Sequence, residues 1–146
     1  MSPKEALAAP LPLLRELRAE LAGEPRLGLV AVVSPERQEV LAAASRTEKA
    51  AEEAAEILGM ALDAAINAET LEWLYARALE LPSPELSFFR EVVVHGQGGI
   101  SVFLAPGTAE VALVATLSPG VNLGLALSDL RDLQRRLAAA GAREAL

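Results

Sequence analysis

The sequence has no cysteine and a single histidine, and its aromatic residues are one Trp, one Tyr and three Phe. The first absence removes disulfides, thiolate metal sites and a cysteine nucleophile together. The second leaves any Ser–His–acid arrangement dependent on His95, with Ser101 or Asp129 as conjectural partners, and no nucleophile elbow presents a serine to it. Basic charge is also short: 13 Lys and Arg stand against 20 Asp and Glu, for a net charge of −7. A protein that grips a phosphate backbone presents a basic surface, so no nucleic-acid partner is expected. Lysine is nearly missing. Lys4 and Lys49 follow Pro3 and Glu48, whereas a Walker-type loop needs a glycine before its lysine. The chain is therefore not itself a P-loop GTPase.

Long unbroken apolar runs are missing as well. The uncharged run from Val111 to Ser128 is interrupted by Ser118-Pro119-Gly120 and Asn122, and a spanning helix needs about twenty mostly apolar residues. No membrane insertion is expected. Met1 to Ala9 contains Lys4 and Glu5 and has no apolar signal-peptide core, so the expected compartment is the cytoplasm.

What is present is aliphatic bulk. At 146 residues and 52% hydrophobic content the chain fits one domain with a substantial core, rich in Leu, Ala and Val. Residues 10–140 read as that domain, with short tails at 1–9 and 141–146. Between Val92 and Ser128 the only charged residue is Glu110. Within that stretch Val92-Val93-Val94, Ile100 to Ala105 and Val111 to Leu117 are β-rich runs separated by Gly- and Pro-containing turns, which predicts consecutive antiparallel strands. The last two runs are apolar on both alternating faces, so helices should cover the sheet on both sides.

The rest of the chain supplies that cover. A first helix is predicted from about Pro12, with Leu14, Leu17 and Leu21 on its apolar face and Gly23 and Pro25 ending it. Leu27 to Val33 reads as a buried strand, Ser34 to Gln38 as a polar turn, and Val40 to Ala44 as a second strand nearer an edge. Ser45-Arg46-Thr47-Glu48 fits a capping box. It opens a long Ala-rich helix with Ala54, Ile57 or Leu58, Ala61 and Ala65 on one side. Small residues there, with Gly59, permit close approach either to the sheet or to a second copy of the same helix. Asn67 to Thr70 is a candidate kink or break, and Glu69 to Leu81 either continues this helix or folds back. Leu71, Leu74, Tyr75, Ala78 and Leu79 form a further helical stripe, which leaves Trp73 on the far side. Trp73 then either packs within the fold or marks a contact surface, where Trp is enriched. Pro82-Ser83-Pro84 should end the helix, and Phe88 to Val94 should form the next strand. Ser118-Pro119 is the expected cap of a final helix with Leu123, Leu127, Leu130, Leu133 and Leu137 inward and Gly141 as its stop.

Chemistry is hard to place on this frame. Gly96-Gln97-Gly98-Gly99 leads into a strand, whereas nucleotide loops feed a helix, so a hairpin turn explains it better than a cofactor site. Glu52 and Glu56 share a helix face, but nothing else gathers beside them to hold a metal. No catalytic residue, metal or cofactor is assigned. Arg37 and Arg46 are the arginines best placed to act in trans on a GTPase, and surface solubility accounts for them equally well.

The order helix, two strands, long helix, three strands, helix, together with Ser118-Pro119-Gly120-Val121-Asn122-Leu123-Gly124-Leu125, resembles the Roadblock family of dynein light chains and bacterial GTPase regulators. The chain departs from that family in lacking a glycine between Ser34 and Gln38 and in its longer Glu69 to Ser87 segment. The resemblance implies an α+β fold, a three-layer α/β/α sandwich around a five-stranded antiparallel sheet. It also implies a homodimer in which Val92, Val93 and Val94 pair across a sheet edge while the helices carrying Ala54, Leu58 and Ala61 lie side by side. The implied function is non-enzymatic: binding a small Ras-like GTPase and modulating its nucleotide cycle, with Arg46, Glu52, Glu53, Glu56 and Trp73 on the partner surface. The alternatives are a scaffold subunit without effect on GTP hydrolysis and a profilin- or PAS-like small-molecule sensor.

Overall fold

A computed structural model of the chain describes residues 11–80, 91–106 and 111–145. Helix α1 spans Leu11–Gly23, strands β1 and β2 span Leu27–Ser34 and Glu39–Ser45, and helix α2 spans Ala50–Ala78. Strands β3 (Glu91–His95), β4 (Ile100–Leu104) and β5 (Ala112–Leu117) follow, and helix α3 (Leu123–Ala145) closes the order. The strands form one five-stranded sheet in the order β2-β1-β5-β4-β3, with every neighbouring pair antiparallel. The three-layer arrangement expected from the sequence is the one observed.

Each face of the sheet has its own core. On one side Leu13, Leu17 and Leu21 of α1 and Leu130, Leu133 and Leu137 of α3 meet Val30, Val32, Val102, Leu113 and Ala115. On the other, Ala54, Leu58 and Ala61 of α2 meet Leu29, Ala31, Val33, Phe103 and Val114. Strict alternation along β1 and β5 feeds both layers, which is why these strands look apolar throughout. One residue breaks the parity. Leu27 lies with Val30 rather than with Leu29, because β1 slips register against β5 between them. Gly28 fills the slip, and a Cβ there would stand 2.8 Å from the Thr116 hydroxyl.

Several boundaries differ from expectation. No break occurs at Asn67 to Thr70: α2 is one helix of 29 residues, roughly 43 Å at 1.5 Å per residue. It continues through Glu69 to Ala78, and Pro82-Ser83-Pro84 lies outside the described residues. The capping box does not form, because the helix starts later. Lys49 is the N-cap, without a side-chain cap bond, and Ser45 is the last residue of β2. Ser45 and Thr47 instead build a small turn in which the Thr47 N–H donates to Ser45 Oγ at 3.0 Å. The Thr47 hydroxyl donates to the Glu53 carboxylate. Helix α3 is capped by Asn122 rather than Ser118, its Oδ1 accepting the Leu125 N–H at 3.1 Å. That helix also runs through Gly141 to Ala145, since a single Gly weakens a helix without ending it. On α1 the innermost first-turn residue is Leu13, with Leu14 half-buried. Strand β3 begins at Glu91, and Phe88 to Arg90 lie outside the described residues.

Candidate interaction surface

The long helix has two unlike halves. From Ala50 to Leu62 it rests on the sheet, with Ala54, Leu58 and Ala61 only 0–2% exposed and Ile57 and Leu62 packed beside them. The alanines let the helix axis sit low, and Leu58 belongs to the cluster formed with side chains of β1, β5 and β4. These three side chains are thus used within the chain. Gly59 faces the other way, with nothing within 4 Å of where a Cβ would stand.

Among the described residues, no side chain of α2 beyond Leu62 enters either core cluster. Ile66 is 64% exposed, Leu71 48%, Trp73 40%, Leu74 46%, Tyr75 54% and Leu79 65%. The stripe read from the sequence as Leu71, Leu74, Tyr75, Ala78 and Leu79 is therefore outside the core. At 100° per residue Leu71, Leu74, Tyr75 and Leu79 share one broad face, Ile66 and Trp73 lie together on another, and Glu69 and Glu72 occupy the sector between. A broad apolar face on a helix ordinarily packs against a core, yet only Ala76 is buried in this half. The exposed parts of Leu71, Leu74, Tyr75 and Leu79 amount to about 400 Å², taking ~200 Å² for each large side chain. That equals the largest apolar patch of a typical monomer, and such patches are often functional. Trp73 and Tyr75 add the rigid, amphipathic character typical of binding hot spots.

The acidic residues sit on the first turns of the same helix. Glu52 and Glu56 are exposed, one turn apart, while Glu53 is turned toward the Ser45–Thr47 corner. Carboxylates there also suit the partial positive charge of the helix N-terminus, which accounts for them without a metal. Among the described residues no group of three or more His, Asp and Glu side chains could share a metal ion.

Arg46 is placed where its sequence position gave no hint. Its Nε donates to the Leu27 carbonyl at 2.9 Å, and its Nη2 donates to the carbonyls of Leu21 at 2.7 Å and Glu24 at 2.9 Å. Leu21 is in the last turn of α1, whose final carbonyls have no partner within the helix. The guanidinium thus caps α1, binds the α1–β1 turn and ties both to the end of β2. Arg37, in the β1–β2 turn, is exposed, with a loose ion pair to Glu39 at 3.9 Å. That turn places Gln38 at φ 55, the left-handed conformation a glycine would take more easily.

Strand β3 is a sheet edge. It pairs only with β4, Val92 opposite Phe103, Val93 opposite Val102 and Val94 opposite Ser101. Val92 packs toward α2 and Val93 toward α1 and α3, while Val94 is 36% exposed. The Glu91 carboxylate pairs with Arg131 of α3. His95 is exposed at the start of the hairpin, which the Gly96 N–H closes by donating to the Gly99 carbonyl at 2.8 Å. Among the described residues it makes no hydrogen bond to Ser101 or Asp129.

Gln134 was missed by sequence reasoning. It is 6% exposed inside the leucine stripe of α3, and its Nε2 donates to the carbonyls of Ala105 at 2.8 Å and Val111 at 2.5 Å. The side chain fastens α3 across the mouth of the β4–β5 connection. Its spacing, four residues after Leu130, is the signal that could have placed it inward.

The sequence matches no protein-family model, and no characterised protein sequence is detectably similar to it. Solved structures do match. Myxococcus xanthus MglB superposes with a TM-score of 0.57 at 13% identity, over 93% of this chain and 98% of that one. An MglB with a tetrameric arrangement gives 0.59 at 17% identity, over 92% and 90% of the two chains. A Roadblock/LC7 domain from Streptomyces avermitilis gives 0.56 at 11% identity, over 90% and 95%. The chain has the Roadblock/LC7 fold along nearly its full length.

Proposed function

We propose that this Roadblock/LC7-fold chain is a non-enzymatic, homodimeric regulator or adaptor that binds a small Ras-like GTPase and modulates its nucleotide cycle. The observation that carries the reading is the second half of α2, whose face of Leu71, Leu74, Tyr75 and Leu79, with Trp73 on a second face, stands outside the core among the described residues. A partner surface would bury it, with Trp73 and Tyr75 as its natural anchors. Glu52, Glu53 and Glu56 supply acidic neighbours on the same helix. Arg46, expected on this surface from the sequence, acts instead on the fold in this reading, because its donors are directed at the backbone carbonyls of Leu21, Glu24 and Leu27.

The dimer uses the β3 edge. A Val-rich edge strand invites pairing with another strand, and a two-fold axis there would join two sheets through Val92, Val93 and Val94. The α2 helices would then lie side by side. Ala54, Leu58 and Ala61 act by setting how low each helix sits on its own sheet, and Gly59 leaves room on the opposite face for a close crossing.

Regulation follows from differential binding. A protein without catalytic groups changes a GTPase cycle only by binding one nucleotide state better than the other. The test uses the purified chain with a Ras-like GTPase encoded beside its gene, measuring hydrolysis and nucleotide exchange. Wild type should change one of these rates, and Trp73→Ala should abolish the effect while melting as wild type does. Unaltered rates in the presence of tight binding would favour the scaffold reading, which the tetrameric arrangement of a similar structure supports. Light scattering tests the dimer: Val93→Arg should give folded monomers, and a monomeric wild type would remove the two-fold model.

A further inference from the structure

The opposite face of the molecule carries a second feature. Between the last turns of α1 and the first half of α3 runs an open groove of about 670 Å³. We propose that this groove docks an extended segment of a partner protein in which leucine-like side chains are flanked by arginine or lysine.

The floor is apolar, formed by Leu27, Leu117, Val121, Ala126 and Leu130. Leu125 lines the groove and is 65% exposed, the equal of any described large apolar side chain. Its exposure has a local cause. Asn122 caps α3, and the cap fixes the helix phase so that Leu123 and Leu127 turn inward and Leu125 outward. The volume falls in the ~300–1,000 Å³ range of ligand sites, but small-molecule sites enclose most of their ligand. A groove open along two helices suits a chain laid lengthwise.

Charge selects the occupant. Glu20 and Glu24 of the α1 side and Asp129 and Asp132 of α3 line the groove against Arg26 and Arg136. Arg136 is already committed, donating to Glu20 at 2.8 Å and to Glu16 at 3.4 Å, and it closes one end by tying α3 to α1. Asp132 pairs with Arg135. Glu24 accepts only the backbone N–H of Arg26, at 3.0 Å, and Asp129 makes no ion pair among the described residues. Arg26 also makes no ion pair among the described residues, so Glu24, Asp129 and Arg26 remain uncommitted and the open end beside Leu125 is acidic by one charge over an apolar floor. A second copy of this chain, at net charge −7, is a poor match to it, and a basic, leucine-bearing segment is a good one. This site lies across the sheet from α2, so it stands whether or not α2 binds a GTPase.

The test titrates the full-length ¹⁵N-labelled protein with three capped tetrapeptides, Arg-Leu-Leu-Arg, Glu-Leu-Leu-Glu and Arg-Gly-Gly-Arg. The first should shift amides of Gly23 to Arg26 and Asn122 to Asp129, and the other two should bind at least about tenfold more weakly. Raising salt from about 0.1 to 1 M, which shortens the screening length from ~10 to ~3 Å, should weaken the Arg-Leu-Leu-Arg complex. Asp129→Asn should lower affinity about threefold and Leu125→Ser about tenfold, both with unchanged melting, since each side chain is exposed. Equal binding of the acidic peptide, shifts centred on Trp73 instead, or no shift at millimolar peptide would overturn the proposal. So would a fall in solution mass caused by Leu125→Ser alone, which would make a second copy the occupant.

Discussion

Arg46→Met is the substitution with the sharpest consequence. It keeps most of the aliphatic stem and removes three donors from the carbonyls of Leu21, Glu24 and Leu27. The two part-buried bonds contribute about 1 kcal/mol each, and the bond at the exposed Glu24 oxygen contributes less because water replaces it readily. A cation beside the C-terminus of α1 adds about 0.5 kcal/mol. The expected loss is about 2–3 kcal/mol, which for a chain of this length lowers the melting temperature by about 6–10 °C. Arg46→Lys should recover less than half, because one ammonium cannot span carbonyls on two sides of the turn. Urea unfolding at fixed protein concentration is the assay, read as a shift in midpoint at constant slope. If Arg46→Met melted within about 1 °C of wild type yet lost its effect on a GTPase, the intramolecular reading would be refuted and Arg46 would return to the partner surface.

Other substitutions probe separate parts of the fold. Gln134→Leu extends the leucine stripe of α3 but strands two carbonyls, so it should destabilise by about 1–3 kcal/mol where pattern alone predicts a gain; calorimetry decides. Gln38→Gly should stabilise by about 0.5–1 kcal/mol, the left-handed strain outweighing the added freedom of the unfolded chain, and an unchanged midpoint would count against that turn geometry. Leu58→Ala should cost about 2–5 kcal/mol by opening a cavity between α2 and the sheet, measured by urea unfolding.

Much of the architecture was legible because it depends on periodicity. The doubly apolar runs at Ile100–Leu104 and Ala112–Leu117 required two covering layers, and both are there. The stripe through Leu130, Leu133 and Leu137 named the inner face of α3. What failed was anything decided by a single side chain reaching across the fold. A capping box is a local pattern, and at Ser45 it lost to β2, which holds that residue in the β1 register opposite Leu29. Arg46 looked like one more surface arginine because its acceptors are 19 to 25 residues earlier in the chain. The stripe at Leu71 to Leu79 is helical as its spacing predicts, but spacing alone did not show that it stands outside the core. Periodicity shows that a face is apolar, but it does not say whether the cover comes from the same chain. Trp73 shows the same limit, since both contact and packing ask for a large aromatic.

The position of β1 in the sheet also governs how the chain can assemble. Its nearest partner in sequence, β2, covers one side at once, forming a local hairpin. The other side pairs with β5, Leu27 meeting Leu117, after α2, β3 and β4 have intervened. Such long-range closure is slow because the loop must be ordered before the pairing is gained. During synthesis, a Leu- and Val-rich strand therefore waits with one open edge until β5, about eighty residues later, has emerged. That interval, more than the finished sheet, is when this sequence is most exposed to mispairing.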